Sequence, residues 1–131
     1  MDKDALKYLD SFTGTENYYK LPLFRGVVYT DGVRHLALNA DAYWLLDAIA
    51  SHQPRALKDK SLRQIQFWRL EPLGDNQAKL SCDRDEGDEA FHQIIPFTDF
   101  PFDAVPRPRV WVAPSETQDG PVMVAYLPSE H

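Results

Sequence analysis

A chain of 131 residues fits one domain able to bury roughly two-thirds of the surface its unfolded form exposes, and 44% hydrophobic with 26% charged residues is an ordinary globular mixture. A net charge of −6 opposes nonspecific attraction to nucleic acid, and the single cysteine, Cys82, rules out an intramolecular disulfide. No apolar run approaches the ~20 residues that cross a bilayer, and Met1-Asp2-Lys3-Asp4 lacks the basic and apolar regions of a secretion signal, so a reducing cytoplasm is the expected location.

In chain order, residues 3–12 are expected to form a helix with Leu6, Tyr8 and Leu9 as a partial apolar face and Asp2 or Asp4 as its cap. Phe12–Lys20 mixes turn formers with aromatics and reads as an ordered loop. Val27–Thr30 and Val33–Leu38 flank Asp31-Gly32, and Asp-Gly between β-rich runs predicts a hairpin. Residues 39–53 form the most informative segment. Ala42, Leu45, Leu46 and Ile49 fall at i, i+3, i+4 and i+7, an apolar stripe facing the core. The opposite side carries Tyr43, Trp44, Asp47 and Ser51. Asn39 or Asp41 is expected to cap this central helix, and Pro54 to stop it after Gln53.

Further along, Ile65–Glu71 is apolar on both sides, with Ile65 and Phe67 opposite Trp68 and Leu70, and is expected as a central strand. Gly74-Asp75-Asn76 predicts a turn, followed by a half-buried strand over Ala78, Leu80 and Cys82. The acidic run 83–89 holds the next turn at Gly87, and Phe91, Ile95 and Phe97 mark a third strand ended by Pro96. Val110–Ala113 and Val122–Leu127 predict a last hairpin. Together these elements predict a single α+β domain over 1–131: an antiparallel sheet of five to seven strands with the central and N-terminal helices packed on one face. Charge is uneven. Arg55, Lys58, Lys60, Arg63 and Arg69 stand against Asp59 alone, whereas Asp83, Asp85, Glu86, Asp88 and Glu89 stand against Arg84 alone, so the two patches are suited to attract each other.

The segments Phe12-Thr13-Gly14-Thr15-Glu16-Asn17-Tyr18-Tyr19, Tyr43-Trp44-Leu45-Leu46-Asp47-Ala48-Ile49-Ala50-Ser51-His52-Gln53 and Phe97-Thr98-Asp99-Phe100-Pro101 resemble a family of small bacterial, plasmid and phage proteins known only as a domain of unknown function. Tyr29-Thr30-Asp31-Gly32, Gln66-Phe67-Trp68 and Leu127-Pro128-Ser129-Glu130 carry the resemblance over nearly the whole chain. It implies an accessory role in mobile or variable gene neighbourhoods and brings no activity, cofactor or site residue with it.

Chemical signals are sparse. His35, His52, His92 and His131 make no metal-ligand spacing, and the 83–89 run departs from a calcium loop in the place of its glycine and in lacking a twelfth-position Glu, so no metal and no cofactor is expected. Ser51 and His52 are adjacent on a helix and point about 100° apart, which prevents them from acting as nucleophile and base. The expected role is non-enzymatic binding of another macromolecule or a second copy. The expected surface is Tyr43, Trp44, Asp47 and Ser51, bordered by Tyr18 and Tyr19. Within one subunit, Asp47 is expected to accept from the Trp44 indole or the Tyr43 hydroxyl. The alternative is a small acid/base enzyme using Asp47, His52, His35 and Tyr19, which requires that at least two of them converge in a pocket. Against it, His52 is expected to favour a helix C-terminus, and His35 and His92 the solvated sides of strands. A second alternative is nucleic-acid binding through Arg55–Arg69 with Trp68 as a stacking ring. Burial of Trp68 in a central strand and the overall acidity argue against it.

Overall fold

A computed structural model describes residues 1–131 as a seven-stranded, mostly antiparallel sheet with three α-helices. The strands are β1 (Tyr18–Leu21), β2 (Phe24–Thr30), β3 (Gln66–Gly74), β4 (Gln77–Asp85), β5 (Asp88–Ile95), β6 (Arg109–Thr117) and β7 (Gly120–Tyr126). Their order across the sheet is β1-β2-β7-β6-β3-β4-β5. Every neighbouring pair is antiparallel except β2 and β7, which run parallel and are joined through the three α-helices and β3–β6.

The helices are α1 (Asp31–Asn39), α2 (Tyr43–Ser51) and the one-turn α3 (Gln53–Ala56), with a 3₁₀ segment at Ala5–Ser11 and another at Pro128–Glu130. The hairpin expected at Asp31-Gly32 is absent. Thr30 Oγ1 accepts from the Val33 N–H at 3.3 Å, and the chain enters α1 instead of turning back as a strand. Val33, Leu36 and Ala37 fall at i, i+3 and i+4, and all three are buried, so the helical period was present within the stretch read as β. The central helix is correspondingly shorter than 39–53. Asn39 closes α1 and donates its amide to His35 O, Asp41 adopts φ 51°, and Ala42 caps α2 without a side-chain bond, so neither expected cap serves that role. Pro54 lies in the first turn of α3, where no N–H is required of it, and the break falls at His52.

The stripe Ala42, Leu45, Leu46 and Ile49 does face inward, each no more than 3% exposed. These side chains share one apolar core with Val33, Leu36 and Ala37 of α1 and with strand residues Val27, Tyr29, Trp68, Leu70, Ala78, Leu80, Cys82, Phe91, Val110, Val112, Met123 and Ala125. Cross-strand register places those strand residues on one face, as Phe91↔Cys82↔Trp68↔Val110 and Val112↔Ala125↔Tyr29 show. Of the N-terminal residues, Leu6 joins the core while Tyr8 is turned out to solvent, contrary to its expected apolar role. A tight 3₁₀ turn kinked at Tyr8 brings different residues inward than an α-helix would.

The turns at Gly74-Asp75-Asn76 and Gly87 form where expected, with Gly74, Asp75, Asn76 and Gly87 all at positive φ. Of the basic residues in 55–69, Arg69 meets the acidic run, reaching Asp83 at 2.7 Å and Glu89 at 3.2 Å, whereas Arg84 and Asp59, the odd charge of each run, pair at 2.7 Å. No helix is long and apolar enough to cross a membrane.

Candidate functional site

Around α2, Tyr43 and Ser51 are exposed while Trp44 and Asp47 are half-buried, so Trp44 is neither enclosed nor free. The Ser51 hydroxyl donates back to Ala48 O at 2.7 Å, and neither Trp44 nor Tyr43 donates to Asp47. Tyr43 meets Tyr29 edge-on at 6.2 Å, and Tyr29 stacks on Tyr19 at 5.5 Å, so these aromatics form a continuous run with the Arg34 guanidinium over Tyr19. Tyr18 points to the other side of the sheet, because it pairs with Thr30 while Tyr19 pairs with Tyr29.

The four acid/base candidates are held apart by different partners. His52 Nε2 donates to Gln93 Oε1 at 2.8 Å, with its ring against both Trp68 and Phe91, which also touch each other. His35 lies in α1, not on a strand, and donates to Ala5 O at 2.7 Å. Tyr19 donates to Asp31 at 2.8 Å, and Asp47 bonds to none of the other three. No two of them share a hydrogen bond, and no group of three or more His, Cys, Asp or Glu side chains is placed to hold a metal ion.

The segments that carry the family resemblance are occupied with one another. Asp31, in the first turn of α1, accepts from the Tyr19 hydroxyl, the Glu16 N–H at 3.1 Å and the Asn17 amide at 3.5 Å, with Thr15 Oγ1 3.0 Å away. The Tyr19 bond first, then the Glu16 N–H, hold the Asp31 carboxyl down to about 2, and the same bond raises the Tyr19 hydroxyl. At the far end of the chain, Glu130 accepts from the Gly32 N–H at 3.2 Å, the Thr30 hydroxyl at 2.7 Å and the Leu127 N–H at 2.9 Å. Glu130 therefore satisfies the Gly32 N–H at the positive end of α1, and the Asp31 carboxylate adds negative charge there without accepting from the helix. Gly32 permits this approach, since a Cβ there would lie 2.5 Å from Glu130 Oε1.

Under α2, Gln53 and Gln66 exchange amide hydrogen bonds of 2.9 and 2.8 Å, and Trp68 Nε1–H donates to Gln66 Oε1 at 2.8 Å. Trp68 is 2% exposed, which removes it as a stacking ring for nucleic acid. These signature residues thus build the fold and leave little free on the helical side.

Aromatic and charged side chains gather on the other face of the sheet. There the cross-strand row Tyr126↔Trp111↔Phe67↔Asp83↔Glu89 runs over β7, β6, β3, β4 and β5. Trp111 meets Phe67 edge-on at 5.1 Å, Tyr126 at 6.2 Å and the His131 ring at 5.2 Å. His131 stacks on Tyr126, whose hydroxyl is 3.0 Å from its Nδ1. One row along, Arg69 stands directly opposite Arg109. Arg69 is neutralised by Glu71, Asp83 and Glu89, and Glu89 also takes Lys79 and His92. The His92 bond, followed by Lys79, draws the Glu89 carboxyl down to about 2. Phe67, Trp111, Arg69, Arg109, Asp83, Asp85, Glu86 and Gly87 line a concavity of about 460 Å³ on this face.

The model of a family of unknown function, DUF6876, matches residues 3–131. The chain belongs to that family. No curated protein and no solved structure matches the chain. The family thus supplies no chemistry, and the geometry alone ranks the surfaces. Sequence reading passed over Arg109, Trp111 and Tyr126, although the alternation of Arg109 and Trp111 with Val110 and Val112 along β6 carries the signal of a strand with one open face.

Proposed function

We propose that this DUF6876 chain acts by binding a macromolecular partner, without chemistry of its own, and that the partner docks on the sheet face opposite the helices. The observation carrying this reading is that an aromatic corner of Trp111 and Phe67 lies partly open there beside the exposed Arg109, which makes no ion pair. Aromatic and Arg side chains at a concave position are the usual anchors of a binding surface. Polar groups on the helical side are, by contrast, mostly spent on internal bonds. The absence of any shared hydrogen bond among Asp47, His52, His35 and Tyr19 argues against an acid/base enzyme.

The surface read from the sequence (Tyr43, Trp44, Asp47 and Ser51, with Tyr18 and Tyr19 beside it) is kept as a second reading because Tyr43 is 37% exposed at the end of the Tyr19–Tyr29–Tyr43 aromatic run. A second copy of the chain is among the partners either surface suits. The test is co-purification from the native host with tagged wild type, Trp111→Ala and Tyr43→Ala. The sheet-face reading requires that Trp111→Ala lose the retained partner while Tyr43→Ala keeps it. The reverse pattern replaces it with the α2 surface, and retention by both variants refutes both.

A further inference from the structure

We propose that the concavity on the open sheet face binds a nucleoside monophosphate whose base presents adjacent N–H donors, as guanine does; this rests on the sheet-face reading above and names a ligand for it. The argument comes from the order of free groups along the strands.

Arg69 and Arg109 face each other across β3 and β6, an unfavourable like-charge pair unless each is compensated. Arg69 is compensated from the β4 and β5 side by Asp83 and Glu89 and along its own strand by Glu71. Arg109 has no such partner, and a phosphate is the group its planar fork accepts best. Arg107 lies beside it, lining with Arg69 and Arg109 an adjoining hollow of about 260 Å³. Two exposed guanidinium groups therefore mark one end of the site as anionic in preference.

Two residues further along β6, about 6.6 Å on, Trp111 lies on the same face with Phe67 set edge-on against it. The Trp111 Nε1–H has no hydrogen-bond partner, and Trp111 and Phe67 form an apolar wall open to a flat ring. Another two residues along, the same direction reaches Asp85 and the Glu86-Gly87 turn, since Asp83 pairs with Phe67. Asp85 accepts only the Glu86 N–H, and the Glu86 carboxylate is unbonded. A carboxylate accepts two parallel N–H donors well, which the guanine Watson–Crick edge supplies.

Cation, aromatic wall and carboxylates thus follow one another over about four residues of strand, roughly 13 Å, matching phosphate, base plane and base edge of one nucleotide. A polynucleotide suits the site poorly, because the acids at its far end and the chain's net charge of −6 repel a continuing phosphate backbone.

The test is calorimetric titration of the full chain with GMP, AMP, guanosine, ribose 5-phosphate and a short single-stranded oligonucleotide. GMP is expected to bind at least about tenfold more tightly than either fragment, and Arg109→Gln to reduce it to the guanosine level while leaving guanosine binding unchanged. The double variant Asp85→Asn/Glu86→Gln is expected to lower the preference for GMP over AMP. All three positions are exposed, so the variants are expected to keep the wild-type circular dichroism spectrum. Absence of GMP binding at millimolar concentration, equal binding of ribose 5-phosphate, or tighter binding of the oligonucleotide overturns the assignment. If GMP fails while Trp111→Ala still releases the native partner, only the nucleotide assignment falls and the sheet-face reading stands.

Discussion

Gln66→Leu removes the centre of a buried polar network and is expected to cost far more than its size suggests. Gln66 is fully buried; its Oε1 accepts from both Gln53 and Trp68, and its Nε2 donates to Gln53 and to Leu62 O at 3.1 Å. Leucine would leave two side-chain groups unpaired in the core, the Trp68 indole N–H and the Gln53 side-chain oxygen, and would also take the donor from Leu62 O. Each orphaned side-chain group costs about 1–3 kcal/mol, so the expected loss is about 2–6 kcal/mol, a large part of the ~5–15 kcal/mol that stabilises a domain. Gln53→Leu alone is milder, because Gln66 keeps its bonds to Trp68 and Leu62. In the double variant Gln53→Leu/Gln66→Leu the Gln53 oxygen is gone and the indole is the only side-chain group left unpaired, so the two costs must sum to more than the double. Urea unfolding followed by tryptophan fluorescence measures all three. Strict additivity, or a Gln66→Leu cost no greater than that of Gln53→Leu, refutes the idea that the reciprocal amide pair supports the α3–β3 junction.

Gly32→Ala is expected to destabilise by about 1–3 kcal/mol, since its methyl would push Glu130 and Leu127 away from the start of α1. In a Glu130→Ala background part of that cost should vanish, and an unchanged cost by thermal denaturation would show that Glu130 is not the obstacle. Asp31 gives the acid limb of stability a defined shape. Its folded carboxyl sits at about 2, below its ordinary 3.8, so its contribution is fully present above the ordinary value and fades as pH falls through 2. Asp31→Asn should flatten the stability profile between pH ~4 and ~2, and a profile parallel to wild type would contradict the bonds drawn from Tyr19 and Glu16. Cys82 is fully buried and burial pushes its thiol up to about 12, so a thiol reagent at pH 8 should label it only as fast as the chain opens. Rapid stoichiometric labelling of the native protein would contradict its placement.

Local periodicity alone determined which residues of α2 face inward: Leu45, Leu46 and Ile49 are buried because a 3.6-residue repeat leaves them one stripe. It likewise determined β3 through β5, whose turns at Gly74-Asp75-Asn76 and Gly87 depend on nearest neighbours. Asp31-Gly32 drew on both levels. A hairpin and a helix start use the same dipeptide; the Thr30 cap and the Val33, Leu36 and Ala37 period favour the helix locally, and Glu130, reaching Gly32 and Thr30 from 98 and 100 residues away, adds a contact that only the tertiary structure supplies. The parallel pairing of β2 with β7 is equally nonlocal, joining strands whose sequences carry no mark of each other. The site followed the same division. Trp111, Phe67 and Arg109 each lie in recognisable strands, but their meeting on one uncovered face depends on β6 pairing with β3 across the intervening chain, a register that no local pattern encodes.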